Sequence, residues 1–233
     1  MTSKLRLAKS KEELKKVLNT AGVKYESILE EEEKFVVFTN KGVRFFFKPR
    51  SREKALEILK KAGFPNSILS NISNKEIGTK PLALVKGYLK KGFWRRRIGL
   101  IFTGKPGIGK THALTKAIAV LLKNQVIHQP VYIPFTELSN EEIRTRLDVY
   151  DAVLLDDINI SLPEWKVQLL EEILFQLYNR GALIFLTSNS SLEELRQMLS
   201  GAIWSRLEER TLMQEFPTGE DVRRLKKAEV LKA

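Results

Sequence analysis

The sequence of 233 residues contains no cysteine and no uninterrupted apolar run near the roughly 20 residues that a membrane-spanning helix needs. The absence of cysteine excludes disulfide bonds and zinc sites with thiolate ligands. Residues 1–6 also lack the continuous apolar segment and the small-residue cleavage site of a signal peptide. We therefore expect a soluble, cytoplasmic protein that has no membrane partner.

Acidic residues are scarce in the first part of the chain. Residues 1–99 contain 24 Lys or Arg and 10 Asp or Glu, which gives a net charge of +14. Residues 100–233 contain 16 Lys or Arg and 18 Asp or Glu, which gives a net charge of −2. Clustered cations favour nucleic-acid binding because the phosphates that they neutralise release condensed counterions. The asymmetry predicts a nucleic-acid partner for the first part. The alternative is a solvated surface that keeps a small domain soluble.

Residues 1–65 have the pattern of a small α+β domain. The capping-box pattern at residues 10–13 opens a helix that periodic apolar residues extend over 11–20. Extended segments rich in aromatic and β-branched residues follow at 25–29, 34–39 and 43–48. A second helix is predicted over 52–62, and the polar stretch 66–80, which lacks strong periodicity, is predicted to be a linker.

From residue 81 onward, segments with strand and helix patterns alternate, as in an α/β protein. The predicted strands are 98–103, 130–135, 150–155, 182–187 and 211–216. The predicted helices are 82–91, 109–123, 140–148, 164–180, 192–200 and one from 220 onward. This alternation specifies a parallel sheet with crossover helices. We therefore predict a five-stranded parallel sheet flanked by helices over residues 81–233.

A glycine-rich loop, residues 104–111, joins the first of these strands to its helix and reads Gly-Lys-Pro-Gly-Ile-Gly-Lys-Thr. Such a loop presents successive backbone N–H groups and the positive end of a helix dipole to a triphosphate. Lys110 would reach the β- and γ-phosphates, and the Thr111 hydroxyl would ligate Mg²⁺, so we predict a site for ATP and Mg²⁺. The predicted nucleotide contacts are Gly104, Pro106, Gly107, Ile108, Gly109, Lys110, Thr111 and His112.

Two aspartates, Asp156 and Asp157, end an apolar strand in the same domain. Asp156 is predicted to hold the metal, and Asp157 is predicted to orient or deprotonate the attacking water. Two acids after an apolar run can also mark no more than the exit of a strand, but the preceding phosphate loop favours a functional pair. Asn189, which follows the next strand, is predicted to hold the water near the γ-phosphate; a turn-forming asparagine is the alternative.

In this order, residues 104–111, Asp156-Asp157 and Thr187-Ser188-Asn189 resemble the AAA+ initiator clade, specifically the bacterial replicative helicase loaders DnaC and DnaI, with IstB and DnaA as near relatives. The resemblance covers about residues 81–227. It implies an AAA+ core without a C-terminal lid and a replicative helicase as partner. It also implies an ATPase that is slow alone and that forms homo-oligomers through its ATP sites when ATP binds.

The same resemblance assigns a catalytic role to Arg206, which matches the arginine finger that enters the ATP site of a neighbouring subunit. Arg210 is the rival for this role, and an ordinary surface arginine is the alternative. Arg223 is a candidate phosphate sensor, with a solvated basic helix end as the alternative.

The N-terminal part contains two candidate contacts for nucleic acid. Strand alternation places Arg44, Phe46 and Lys48 on one face of a hairpin and leaves the other face for the core. An exposed Phe46 between two cations would stack an unpaired base, so single-stranded DNA is the preferred form. The alternative is that Phe46 packs under a flanking helix. Beside Trp94, a second group of candidates is formed by Arg95, Arg96 and Arg97.

Together, the residues and the resemblance predict an ATP-hydrolysing helicase loader or DNA-replication accessory factor. Two other functions stay open. One is a transposition helper, similar to IstB, that acts on double-stranded DNA. The other is a nucleotide-switched regulatory protein with little turnover.

Overall fold

The computed structural model describes residues 8–72, 78–136, 150–219 and 221–222. Within these ranges the chain forms an antiparallel sheet of three strands and a parallel sheet of five strands. No helix in the same ranges is long and apolar enough to cross a membrane. The helix predicted over 140–148 lies outside the described residues, as does nearly all of the helix predicted from residue 220 onward.

The antiparallel sheet has the strand order β1-β2-β3 and follows the helix α1. The elements are α1 (Lys11–Thr20), β1 (Ser27–Glu30), β2 (Lys34–Thr39) and β3 (Gly42–Phe47). Ser10 caps α1 by accepting a hydrogen bond from the Glu13 N–H, whereas the Glu13 carboxylate accepts from the Lys9 N–H, so only half of the predicted capping box forms. The core under α1 consists of Ala8, Leu14, Leu18, Ile28, Phe35 and Val37.

The buried face of β3 is the one that was expected to be exposed. Phe46 packs against the core under α1, because its cross-strand partner Phe35 is fully buried there. The other face is open to solvent at Val43 (49% exposed), Phe45 (56%) and Phe47 (41%). The prediction that this other face forms the core is therefore wrong, and Phe46 packs as the alternative interpretation proposed. Of its two basic neighbours, Arg44 is exposed and Lys48 forms an ion pair with Glu30 at 2.8 Å.

The parallel sheet confirms the predicted α/β architecture. Its strands are β4 (Gly99–Gly104), β5 (Pro130–Pro134), β6 (Ala152–Ile158), β7 (Leu183–Ser188) and β8 (Thr211–Phe216). Their spatial order is β5-β6-β7-β4-β8, and every neighbouring pair is parallel. All five carboxyl ends therefore lie at one edge of the sheet, which is where open α/β sheets bind ligands.

Helices cover both faces of the parallel sheet. On one face lie α2 (Arg52–Lys61), the short α3 (Asn66–Leu69), α4 (Lys80–Lys91) and α5 (Lys110–Lys123). On the other lie α6 (Glu164–Arg180), α7 (Leu192–Met198) and α8 (Gly201–Arg210). The predicted helix 192–200 is thus shorter than expected. A capping box between Ser191 and Glu194 begins α7, and Ser200 starts the separate helix α8.

The segment on either side of the predicted boundary at residue 65 packs against the parallel sheet. Ala55, Leu59 and Phe64 belong to the same hydrophobic core as α4 and α5. Leu69 and Ile72, which lie inside the predicted linker, are also buried in that core. The boundary stays a prediction, and the described part of the linker is a packed element.

Polar contacts hold the three-stranded sheet to the far end of α5. The Arg50 guanidinium donates to the carbonyl oxygens of Leu122 (2.7 Å) and Ile127 (3.2 Å). The Gln125 amide donates to the carbonyl oxygen of Lys48 at 2.7 Å. Because α5 starts where β4 ends and runs back across the sheet, this attachment lies at the amino edge, away from the carboxyl ends of the strands.

Candidate active site

The glycine-rich loop has the backbone conformation that its sequence predicts. Gly104, Gly107 and Gly109 have φ angles of +113°, +82° and +91°, a region that favours glycine. A Cβ on Gly104 would lie 2.2 Å from the carbonyl oxygen of Phe216, so the close approach of β8 also requires glycine there. In the rest of the loop, Pro106 is exposed, Ile108 is buried, and Thr111 and His112 are half-buried on the first turn of α5.

Lys110 lies inside this loop, and 6% of the residue is exposed. Its ammonium donates to the carbonyl oxygens of Gly104 (2.5 Å) and Lys105 (2.8 Å) and to Asn189 Oδ1 (3.0 Å). Burial lowers the pKa of Lys110 to about 8, against the opposing effect of the nearby aspartates. The cation is therefore held by neutral acceptors that an anionic phosphate could replace.

Asp156 ends the buried part of β6, and three hydroxyl groups surround its carboxylate. Thr111 and Thr187 donate to Oδ1 at 2.8 and 2.5 Å, and Tyr132 donates to Oδ2 at 2.6 Å. This brings the predicted metal residues, Thr111 and Asp156, into direct contact. Sequence reasoning assigned no role to Tyr132 or Thr187, because their approach to Asp156 depends on the order of strands in the sheet.

Asp157 turns away from the buried strand. It has a φ of +62°, and the pairing of β6 with β7 shifts by one residue between Leu155 and Ile158. Such a bulge re-aims a side chain out of the regular pleat. The Asp157 N–H donates to Thr187 Oγ1 at 3.0 Å, and its exposed carboxylate accepts from Asn189 Nδ2 at 2.5 Å.

Asn189 connects the two halves of the site. Its amide oxygen accepts from Lys110, and its amide nitrogen donates to Asp157. Lys110 begins α5 after the loop that follows β4, Asp157 lies near the end of β6, and Asn189 follows β7; the three strands are neighbours in the sheet. The residues predicted from separate motifs thus lie in one hydrogen-bonded group at the carboxyl edge.

The oxygen ligands of this group suit Mg²⁺ held together with a nucleotide. Mg²⁺ uses one or two carboxylates, phosphate oxygens and water in place of a cage made only of protein ligands. The described residues contain no cluster of three or more His, Cys, Asp or Glu side chains able to hold a metal. One carboxylate, Asp156, and one hydroxyl, Thr111, therefore fit a metal that phosphates help to bind.

Neither candidate arginine finger reaches this group in its own chain. The Arg206 guanidinium lies over the rings of Phe175 (5.1 Å) and Tyr178 (5.6 Å) and donates to the carbonyl oxygen of Ala202 at 2.8 Å. The Arg210 guanidinium also lies over the Tyr178 ring, 5.3 Å from its centre. The choice between them stays open, and Arg223 lies outside the described residues.

The second group of nucleic-acid candidates lies at the opposite edge of the sheet from Lys110. Arg95 and Arg96 belong to a 3-10 turn, Phe93–Arg96, that connects the end of α4 to the start of β4, and Arg97 follows it. All three arginines are exposed. Arg95 stacks on Trp94, with its guanidinium 4.8 Å from the ring centre.

Comparison with known proteins gives the class of this fold. No family model and no curated protein sequence matches the chain. The structure of the DnaC helicase loader matches over 65% of this chain and 99% of that chain, with 18% identity and a TM-score of 0.54. A putative primosome component from Streptococcus pyogenes serotype M3 matches over 73% of this chain and 99% of its own, with 18% identity and a TM-score of 0.55. The replication initiator DnaA bound to AMPPCP and single-stranded DNA matches over 69% of this chain and 54% of its own, with 22% identity and a TM-score of 0.50.

These similarities establish the fold. The chain has a DnaC-like AAA+ fold, and the resemblance to the AAA+ initiator clade is confirmed at that level. The match extends over nearly the whole of the DnaC loader structure but about half of the DnaA structure.

Proposed function

We propose that this protein binds and hydrolyses ATP with Mg²⁺ and acts as a replicative helicase loader or replication accessory factor. The proposal rests on one observation, a hydrogen-bonded group at the carboxyl edge of the sheet, in which Thr187 links Lys110, Asn189 and Asp157 to Asp156 and Thr111. The fold that the chain shares with the DnaC helicase loader and with DnaA supports the assignment to replication.

Each member of the group has a distinct task. The backbone N–H groups of the glycine-rich loop and the Lys110 ammonium would bind the phosphates. Thr111 and Asp156 would hold Mg²⁺, which neutralises phosphate charge when it is bound. Asp157 would accept the proton of the attacking water, whose position Asn189 fixes through its amide.

Rapid hydrolysis would need a second copy of the chain. A finger arginine stabilises the charge that develops on the transferred phosphoryl group, and Arg206 makes its described contacts with α6 and α8 of its own chain. We therefore propose that Arg206 enters the ATP site of a neighbour in an ATP-dependent oligomer. Its position over Phe175, which is 43% exposed, would present it at the surface of α6.

Single-stranded DNA would bind the basic ridge, defined as Lys90, Lys91, Arg95, Arg96 and Arg97. All five side chains are exposed, and within the described residues none of them forms an ion pair with an acid. The three-stranded sheet is less suited to DNA, because residues 27–48 contain four cations and four acids. Unpaired cations on one ridge are the arrangement that phosphate binding requires.

The helicase would bind the apolar face, defined as Leu29, Phe38, Val43, Phe45 and Phe47. These side chains share one side of the three-stranded sheet and are 38% to 56% exposed. The nearby Lys34 lies over Phe45 and is paired with Glu31, so little free charge accompanies the aromatic surface. Aromatic enrichment with few charges is typical of the centre of a protein–protein interface.

The test combines turnover with partner capture. ATP hydrolysis per chain should rise with protein concentration, and Arg206→Ala should remove that rise. Mixing Arg206→Ala with Lys110→Ala should restore it, since one variant supplies the ATP site and the other supplies the finger. Arg210→Ala is the matched control; a loss there, with Arg206→Ala unaffected, would assign the finger to Arg210 instead.

Partner capture separates the three functions. A replicative helicase should be retained by the ATP-bound protein. Filaments on duplex DNA without helicase binding would instead indicate a transposition helper. ATP binding without turnover at any protein concentration would indicate a nucleotide-switched regulator.

A further inference from the structure

Tyr132 contacts both the candidate metal site and the N-terminal half of the chain. It lies on β5, one of the two edge strands of the parallel sheet. Its hydroxyl donates to Asp156 Oδ2 at 2.6 Å, whereas the two threonine hydroxyls donate to Oδ1. The tyrosine is therefore the donor that holds the second oxygen of this carboxylate among the described residues.

The segment that follows α2 holds Tyr132 in place. The Tyr132 N–H donates to the carbonyl oxygen of Ala62 at 3.0 Å, so this segment pairs with the free edge of β5. The Tyr132 ring lies 5.5 Å from the ring of Phe64, which is 3% exposed and packs in the same core. A Cβ on Gly63 would lie 3.5 Å from the Tyr132 carbonyl oxygen, which shows how closely the two backbones approach.

We propose that Tyr132 is a positioning residue for Asp156, and that residues 62–64 keep its hydroxyl in reach of the carboxylate. The packing of the N-terminal region against β5 thereby helps to set the Mg²⁺ concentration that tight nucleotide binding requires. This inference rests on the proposed function, because it assumes that Asp156 serves a metal bound with ATP.

The physical reason is the fixed orientation of the carboxylate. A donor on Oδ2 limits rotation of the Asp156 side chain and leaves Oδ1 directed at Thr111. Partners of this kind, which orient a metal ligand without touching the metal, typically change metal affinity by about 10- to 100-fold when they are removed. Replacing Tyr132 with Phe removes only the hydroxyl and keeps the ring that packs on Phe64.

The experiment measures binding of a fluorescent ATP analogue while Mg²⁺ is titrated. Tyr132→Phe should raise the half-saturating Mg²⁺ concentration about 10-fold. Nucleotide affinity in the presence of EDTA should not change. The control is Tyr88→Phe, since the Tyr88 hydroxyl donates to the Ile98 carbonyl oxygen at 2.8 Å in the same core, far from Asp156. This control should lower the melting temperature and leave the Mg²⁺ midpoint unchanged.

A second variant tests the role of the supporting segment. Phe64→Leu should raise the Mg²⁺ midpoint in the wild-type background by a smaller factor than Tyr132→Phe. In the Tyr132→Phe background, Phe64→Leu should not raise the Mg²⁺ midpoint further, because its effect depends on the tyrosine hydroxyl that is absent there. Additive effects of the two substitutions would overturn the assignment of residues 62–64.

The outcomes separate the inference from the proposed function. If the wild-type protein shows no Mg²⁺-dependent nucleotide binding, the proposed function fails and the inference fails with it. If the wild-type protein depends on Mg²⁺ but Tyr132→Phe has the same midpoint, only the inference is refuted. An equal shift in Tyr88→Phe would also refute it, because the effect would then follow from general loss of core stability.

Discussion

Thr187→Val should destabilise the protein strongly, although the substitution hardly changes the size and shape of the side chain. The residue is 2% exposed; its hydroxyl donates to Asp156 Oδ1 and accepts from the Asp157 N–H. Valine keeps the shape but removes a hydrogen bond to a charged group, which contributes about 1.5–3 kcal/mol, and leaves an amide unpaired at a cost of about 1–3 kcal/mol. Because the amide lies beside exposed Asp157, where water can reach, we expect about 3 kcal/mol in total. That corresponds to a fall in melting temperature of roughly 6–12 °C for a chain of this size.

The matched control is Thr103→Val, on the neighbouring strand β4. Thr103 is completely buried, and its hydroxyl has no hydrogen-bond partner in the described part of the chain. Removing a hydroxyl that makes no bond should be neutral or slightly stabilising. Urea unfolding of both variants at neutral pH gives the comparison. If Thr187→Val loses no more stability than Thr103→Val, the hydroxyl does not hold the two aspartates as the distances indicate.

Three further predictions concern separate parts of the molecule. Burial lowers the pKa of Lys110 to about 8, so without nucleotide the Lys110 ammonium loses its charge above that pH. Above about pH 8, ATP affinity should fall and ATP binding should take up a proton, which calorimetry in two buffers can measure. Replacing Arg95, Arg96 and Arg97 with Ala should make the slope of log affinity against log salt concentration for single-stranded DNA shallower by about 2. The control replaces Lys15, Lys16 and Lys41, and an equal change in slope there would contradict DNA binding at the basic ridge. On the apolar face, Phe45→Ser should abolish helicase capture without loss of stability, whereas exposed Ile160→Ser should leave capture intact.

The parts of the fold that the sequence predicts are those that local pattern controls. The helix over Glu164–Arg180 matches its predicted range, because its apolar period and the following Gly181 lie within one segment. The glycine-rich loop is equally local, since its three glycines, Lys110 and Thr111 lie within eight consecutive positions. Asp156 and Asp157 are visible for the same reason: they end an apolar run.

The parts that the sequence does not predict depend on distant contacts. Alternation in β3 separates Phe45 from Phe46, but which of them is buried depends on the face that α1 covers. Tyr132 is invisible as a site residue because it approaches Asp156 only when β5 and β6 are neighbours. The linker looks polar, yet Ile72 is buried because it packs against the core of a sheet that begins many residues later.

The position of α5 gives a physical route between the two ends of the molecule. Its first residue is Lys110, at the carboxyl edge of the sheet, and its last turn carries the Leu122 carbonyl that accepts from Arg50 at the opposite edge. A buried helix moves as one body, because its side chains interlock with the sheet on one side and with α4 on the other. A change at Lys110 when nucleotide binds would therefore reach the attachment of the three-stranded sheet without any change of fold. For the function proposed above, this connection would couple the candidate ATP site to a partner bound on the apolar face.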